Sequence, residues 1–335
     1  MSKAFPSAPL KKPLRLAFFG TPEFAAVCLR ELNTGPHPIV AVVTAPDKKA
    51  GRGQQLRSSR VKETANELNL PLFQPTNLKD TDFADSFRAL DCDLAIVVAF
   101  RMLPESIWNA PRFGSINLHA SLLPQLRGAA PIQWAIRHRL TETGVTTFAL
   151  QHAIDTGYIL LQAKVAIAPN ETAASLHDKL LEQGKALLSK TIDALAQGEL
   201  TPTAQQTLAS NTHRLDAPKL DRTNSRINWS QTAENVEHMV RSLTPYPTAF
   251  CRTPWGDFKV LSVRHTDFER TLPKPGDACI ADKRLFIACT DRWLELLSIV
   301  PIGKRAMEAS TWINGLQPEK RESLGNWNEP QRDQG

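Results

Sequence analysis

Short apolar runs alternate with helix-spaced segments through the first half of the chain. That alternation constrains the fold more than any single motif does. Leu14 to Phe19 (LRLAFF) reads as a buried strand that stops at Gly20. Phe24, Val27, Cys28 and Leu32 then recur at helical spacing, with Thr21 as the cap and Pro22 at the first helical position. A strand at Ile39 to Val43, helices near Val61 to Leu68 and Asp80 to Leu90, a buried strand at Leu94 to Ala99 and a short one at Ile116 to His119 continue the series. Such alternation predicts an α/β fold with an open parallel sheet. Ligands of these sheets bind at the carboxyl ends of the strands, here Gly20, Thr44, Phe100 and His119.

Downstream, the pattern predicts a helix from Pro131 to Leu140, a strand from Val145 to Leu150, a turn at Asp155-Thr156-Gly157, a strand from Tyr158 to Ile167 and a long helix from Thr172 to Ala196. Gly198 to Arg214 is rich in Gln, Thr and Ser and reads as a linker. Beyond it one helix, Thr232 to Leu243, precedes short β-rich runs separated by turns such as Trp255-Gly256-Asp257. Those runs suggest a small antiparallel barrel. The expected division is an extension over 1–13, a catalytic domain over 14–198, a linker over 199–214, a barrel over 215–316 and a polar, poorly ordered tail over 317–335.

With 335 residues, the chain is long enough for two cores. Its formal charge of +6 points to an anionic partner without naming one. Five scattered cysteines without a CxxC argue against a disulfide framework and a zinc site, and no metal is expected. The polar N-terminus and the lack of a long apolar run predict a cytoplasmic protein that touches no membrane. Nothing in the sequence requires more than a monomer.

Asn117 and His119 stand two residues apart, so on a strand both side chains face one side. Asp155 arrives from a separate segment. An amide and a protonated imidazole can both donate to a tetrahedral oxyanion, and a carboxylate can set the imidazole tautomer or relay a proton. These are the candidate catalytic residues for acyl transfer; the alternative is a satisfied strand-end histidine and an ordinary turn aspartate. The following run, Ser121-Leu122-Leu123-Pro124, is unusually apolar for a loop. It either walls a pocket for a flat heteroaromatic ligand or packs under a neighbouring helix.

A basic segment, PDKKAGRGQQLRSSRVK, runs from Pro46 to Lys62. In it Lys48, Lys49, Arg52, Arg57, Arg60 and Lys62 face Asp47 alone. At a strand end, such a loop either follows a phosphate backbone or is solvated surface. The GxxxxGK[ST] spacing of a phosphate-cradling loop is absent. The C-terminal half interleaves basic residues with Trp229, Trp255, Phe258 and Trp293, which suits RNA backbone contacts or, almost as well, an ordinary core and surface.

From about Leu14 to Gly315 the chain resembles the methionyl-tRNA formyltransferase family. The motifs are FFGTPEFA (Phe18 to Ala25), APDKKAGRG (Ala45 to Gly53), NLHASLLPQLRGAAPIQWAI (Asn117 to Ile136), TGVT (Thr143 to Thr146), IDTG (Ile154 to Gly157) and INW (Ile227 to Trp229). The resemblance implies a Rossmann-like catalytic domain, a linker and an OB-like barrel. It implies transfer of a formyl group from 10-formyltetrahydrofolate to the α-amine of methionyl initiator tRNA, with Asn117, His119 and Asp155 catalytic. It also implies that Ser121, Leu122, Leu123 and Pro124 line the folate site, and that Lys48, Lys49, Arg57 and above all Arg52 reach the tRNA acceptor stem. The family usually has Gln at Ala45, Pro at Lys49, Gly at Arg101, Met at Leu150 and Asp at Asn228. Two other readings are an amino-sugar nucleotide or water as acceptor, and a non-enzymatic RNA-binding protein. The long basic loop argues against the first, and the intact Asn117, His119 and Asp155 against the second.

Overall fold

The computed structural model describes residues 3–50, 55–208, 214–268, 270–322 and 324–328. Five strands run parallel: β1 (Leu16–Gly20), β2 (Ile39–Val43), β3 (Leu72–Phe73), β4 (Leu94–Val98) and β5 (Ser115–His119); all but the half-buried β3 are largely buried on both faces. Two antiparallel strands, β6 (Glu142–Ala149) and β7 (Ile159–Ala166), extend the sheet. Its order is β7-β6-β5-β4-β1-β2-β3. The direction of strand succession reverses between β1 and β4, the kind of switch point beside which ligands of such sheets bind.

Between strands lie α1 (Glu23–Asn33), α2 (Arg60–Glu67) and α3 (Thr81–Ala89). The caps of α2 and α3 follow ordinary rules: Ser59 Oγ accepts from Lys62 N–H, and an Asp80 oxygen accepts from Asp82 N–H. The start of α1 differs from the expectation. Pro22, not Thr21, occupies the cap position, and no side chain caps that end. The short edge strand β3 escaped sequence reading because Pro71 and Pro75 frame a run too brief to show periodicity. The long helix α4 (Ala173–Ala196) follows β7.

The chain divides into two compact units. One comprises Met1–Gly128, Glu142–Ala166 and Asp178–Asp216; the other comprises Ala129–Thr141, Ile167–His177 and Ala217–Gly335. A helix at Pro131–Arg137, which the linear reading assigns to the catalytic domain, therefore belongs to the second unit. There Arg137 stacks over the Trp134 ring, 4.9 Å from its centroid, and donates to Asn224 O.

The second unit holds α5 (Ala233–Leu243) and an antiparallel sheet of β8 (Ala249–Thr253), β9 (Gly256–His265), β10 (Ala278–Ala281), β11 (Arg284–Ala288), β12 (Trp293–Val300) and β13 (Met307–Glu308). Its order is β8-β9-β12-β11-β10, with β13 also pairing to β12. The described part of the tail, up to residue 328, is docked where the sequence reading expects poor order. Leu324 and Trp327 are buried in this unit's core, and Trp327 N–H donates to Gly276 O. Two large apolar side chains suffice to dock a polar segment, since together they bury several kcal/mol of apolar surface, about 1.5–3 kcal/mol each.

The extension is also docked. Lys3 Nζ donates to Pro111 O at 2.6 Å, and Leu10 N–H to Ala196 O at 2.8 Å. Gly198 has φ +73°, and a Cβ there would lie 2.4 Å from Ala8 N, so a glycine is needed where the two segments meet.

Candidate active site

Strand β5 carries Asn117 and His119 to the carboxyl edge of the sheet. Asn117 pairs with Val97 on β4 and Phe148 on β6, and His119 with Thr146. The period of two puts both polar side chains on one face, as expected. His119 is 7% exposed and sits edge-on to the Phe148 ring, with centroids 6.5 Å apart. The Asn117 carboxamide has no hydrogen-bond partner among the described residues and stays available to a ligand.

The histidine's orientation settles its tautomer. Nε2 lies 2.9 Å from Leu126 O. A carbonyl only accepts, so Nε2 carries the proton. Nδ1 then faces Asp155 Oδ2 across 3.9 Å. That gap exceeds a direct hydrogen bond. This refines the expected role of His119: its Nε2 is engaged by protein, and the open side of the ring is Nδ1.

Asp155 stands at φ +53° in the loop joining β6 to β7, a conformation L residues adopt singly and at a cost. The loop is closed by Ala149 N–H donating to Tyr158 O at 2.9 Å. A Cβ on Gly157 would lie 1.6 Å from Ala149 O, so only glycine permits this return. Asp155 Oδ2 accepts from Gly128 N–H at 2.9 Å, which aims the carboxylate toward the ring.

The run after β5 is rigid. Thr146 Oγ1 donates to Ser121 O at 2.6 Å and accepts from Leu123 N–H at 3.1 Å. Gln162 Nε2 donates to Leu123 O at 2.9 Å, and Ser121 Oγ to Gln125 O at 2.6 Å. Ser121 is fully buried, and Leu123 packs with Phe148 and Ile159. Leu122 and Pro124 are half-buried. The side chains of Ser121 and Leu123 thus build the loop. The half-buried Leu122 and Pro124 are the side chains it can offer a ligand. Sequence reasoning gave no role to Gln162, a polar side chain inside a strand, and met Thr146 only as the end of the TGVT motif.

The basic segment forms a hairpin of two short strands, Lys48–Ala50 and Gln55–Arg57, with Lys48 opposite Arg57. Arg52 lies outside the described residues, as does the side chain of Lys49; Lys48 and Arg57 are exposed. Its charge is smaller than the sequence suggests. Lys62 Nζ pairs with Asp47 at 2.6 Å, and Arg60 with Glu63 at 2.8 Å and Glu23 at 3.4 Å. The Lys62 and Gln74 hydrogen bonds hold the Asp47 carboxyl below its ordinary pKa. Gln74 Nε2 also donates to Ala45 O at 2.9 Å, so this base is anchored to the sheet. Arg101 lies near the same edge, stacked over Phe100, with Nη1 donating to Thr76 O at 3.0 Å. It braces the loop after β3.

Comparison with known proteins adds to this geometry. Residues 14–192 match the family model described as "Formyl transferase", and residues 219–317 match "Formyl transferase, C-terminal domain". The chain is similar to a protein of Bacteroides thetaiotaomicron named "Methionyl-tRNA formyltransferase", 42% identical over 92% of this chain and 97% of that protein. It is also similar to the one of Parabacteroides distasonis bearing the same name, 41% identical over 94% of this chain and 99% of that protein. Among solved structures, the N-formyltransferase of Helicobacter canadensis, in complex with folinic acid and dTDP-3-aminofucose, has a TM-score of 0.62 and 18% identity. That match covers 84% of this chain and 98% of the other, and at this identity it bears on the fold alone.

Proposed function

Because the chain belongs to the methionyl-tRNA formyltransferase family, we propose that it transfers the formyl group of 10-formyltetrahydrofolate to the α-amine of methionyl initiator tRNA, readying that tRNA for translation initiation. The carrying observation is that His119 Nδ1 lies 3.9 Å from Asp155 Oδ2 in a corner at the carboxyl edge of the sheet, with Asn117 two residues before His119 on the same strand. The backbone of Ser121 to Pro124, with Leu122 and Pro124, holds the donor beside that corner.

The residues divide the chemistry as follows. Asn117 Nδ2 donates to the formyl oxygen as the amine attacks and negative charge develops there. His119, once protonated at Nδ1, adds a second positive donor facing Asp155. Asp155 accepts the proton released by the attacking amine, directly or through one water, and that proton goes to the folate nitrogen as the old C–N bond breaks. Every bond is exchanged between the two substrates, so no covalent enzyme intermediate is required.

The basic hairpin, with Lys48, Lys49, Arg52 and Arg57, supplies the contact to the tRNA acceptor end. The C-terminal antiparallel sheet, read as an OB-like barrel, takes the tRNA body. The protein works as a cytoplasmic monomer. No helix among the described residues is long and apolar enough to cross a membrane.

Purified protein should formylate methionyl initiator tRNA from 10-formyltetrahydrofolate and leave amino-sugar nucleotides untouched. Transfer to the sugar nucleotide but not to the tRNA would reverse the choice of acceptor. His119→Ala should lower the rate by about 10²–10⁴-fold. An unchanged rate would remove His119 from the chemistry.

A further inference from the structure

Gln205 lies in the segment whose composition reads as a linker, yet it is only 1% exposed. Both functional ends of its side chain are used. Nε2 donates to Asp155 O at 2.9 Å and to Gly157 O at 2.8 Å. Oε1 accepts from Arg127 Nε at 3.0 Å and from Nη2 at 2.5 Å. Arg127 precedes Gly128, whose N–H holds the Asp155 carboxylate at 2.9 Å. The result is a closed circuit. Asp155 is gripped at its main chain by Gln205 and at its side chain by Gly128, and Arg127 joins the two grips.

The segment is fixed in place beside this circuit. Thr203 exchanges two backbone hydrogen bonds with Ile159, at 2.9 and 2.8 Å, just past the Asp155 loop. The short helix Gln205–Leu208 follows. Asp155 needs such support, because a non-glycine residue at φ +53° drifts to a lower-energy conformation unless its surroundings hold it. Drift would swing the carboxylate away from His119 Nδ1.

We propose that Gln205 is a positioning residue for Asp155, so that the segment after the last helix of the catalytic domain completes the active site. This rests on the formyl-transfer reading of the corner. Gln205 touches no substrate; it sets the distance and angle between Asp155 and His119. Misplacing a reacting group by about 1 Å costs about 10²-fold in rate, which bounds the effect.

The test is a double-mutant cycle on the full chain, read in single-turnover formylation of methionyl initiator tRNA. Gln205→Ala should lower the chemical rate by about 10–100-fold while the KM for the formyl donor stays within about twofold. In an Asp155→Ala background, Gln205→Ala should cost almost nothing further, since the residue to be positioned is gone. Gln205→Glu guards against a folding artefact. It is isosteric and keeps the acceptor for Arg127, but it turns a carboxylate oxygen toward the Asp155 and Gly157 carbonyls. It should fold and still lose rate. Equal losses from Gln205→Ala with and without Asp155, or an unchanged rate in Gln205→Glu, would overturn the proposal. If Asp155→Ala alone were fully active, the reading of the corner itself would fall instead.

Discussion

The corner at His119 and Asp155 and the basic hairpin stand in the same unit, but they are held in different ways. The corner draws its contacts from residues distant in sequence: His119 from Leu126, and Asp155 from Gly128 and Gln205. Its members are buried or nearly so. The hairpin is held by its own ladder, Lys48 opposite Arg57, and by one anchor at its base, where Asp47 meets Lys62 and Gln74. Beyond that anchor the described side chains, Lys48, Leu56 and Arg57, are exposed; Leu56 is 70% exposed. The proton transfer proposed for the corner needs fixed distances of a few ångströms, and long-range contacts supply them. A surface that attracts a phosphate backbone needs only charge within a Debye length, about 8–10 Å, which a loosely tied hairpin provides.

The contrast is breakable by substitution. The largest effect belongs to the corner: Asp155→Asn should keep the fold yet cut the single-turnover rate by about 10²–10⁴-fold. A rate near that of the unaltered protein would mean that the carboxylate charge is idle. Next comes the loop that carries it. Gly157→Ala places a methyl 1.6 Å from Ala149 O and should cost about 3 kcal/mol or more in thermal or urea unfolding. Wild-type stability would show that the return between β6 and β7 has slack.

The hairpin should respond through affinity. Lys48→Ala with Arg57→Ala should weaken tRNA binding several-fold and reduce the slope of log affinity against log salt by about 1–2, at constant chemical rate. A fall in chemical rate instead would join the two regions into one functional element. The smallest effect is at the anchor. Asp47 has a folded pKa below its unfolded value, so its contribution is present above the ordinary carboxylate range and fades as pH falls through the folded value. Asp47→Asn should therefore loosen the hairpin at neutral pH, detected as faster amide exchange over 48–57, and make no difference at strongly acid pH. A pH-independent difference would assign the anchor to Gln74 alone.

The same contrast explains what was legible. The parallel strands were readable because burial on both faces demands unbroken apolar runs, such as Leu94 to Val98. The pair Asn117 and His119 was readable because strand periodicity is strict. The edge strand β3 was too short, the cap of α1 moved by one residue, and the docking of 324–328 was missed because composition averages away Leu324 and Trp327. The charge of the basic segment was overstated, because sequence order does not show that Glu23 lies against Arg60.

By itself, the sequence determined the α/β series, the antiparallel second half, the glycine of the tight return at Gly157 and the shared strand face of Asn117 and His119. These rest on local periodicity and on residue chemistry, which travel with the chain. Only the tertiary structure decided that Leu126 O sets the His119 tautomer, that Gly128 N–H aims Asp155, and that Gln205 belongs to the site. Each depends on polar groups brought together across the chain in a buried space, where every donor must find an acceptor. No local pattern records which acceptor that will be.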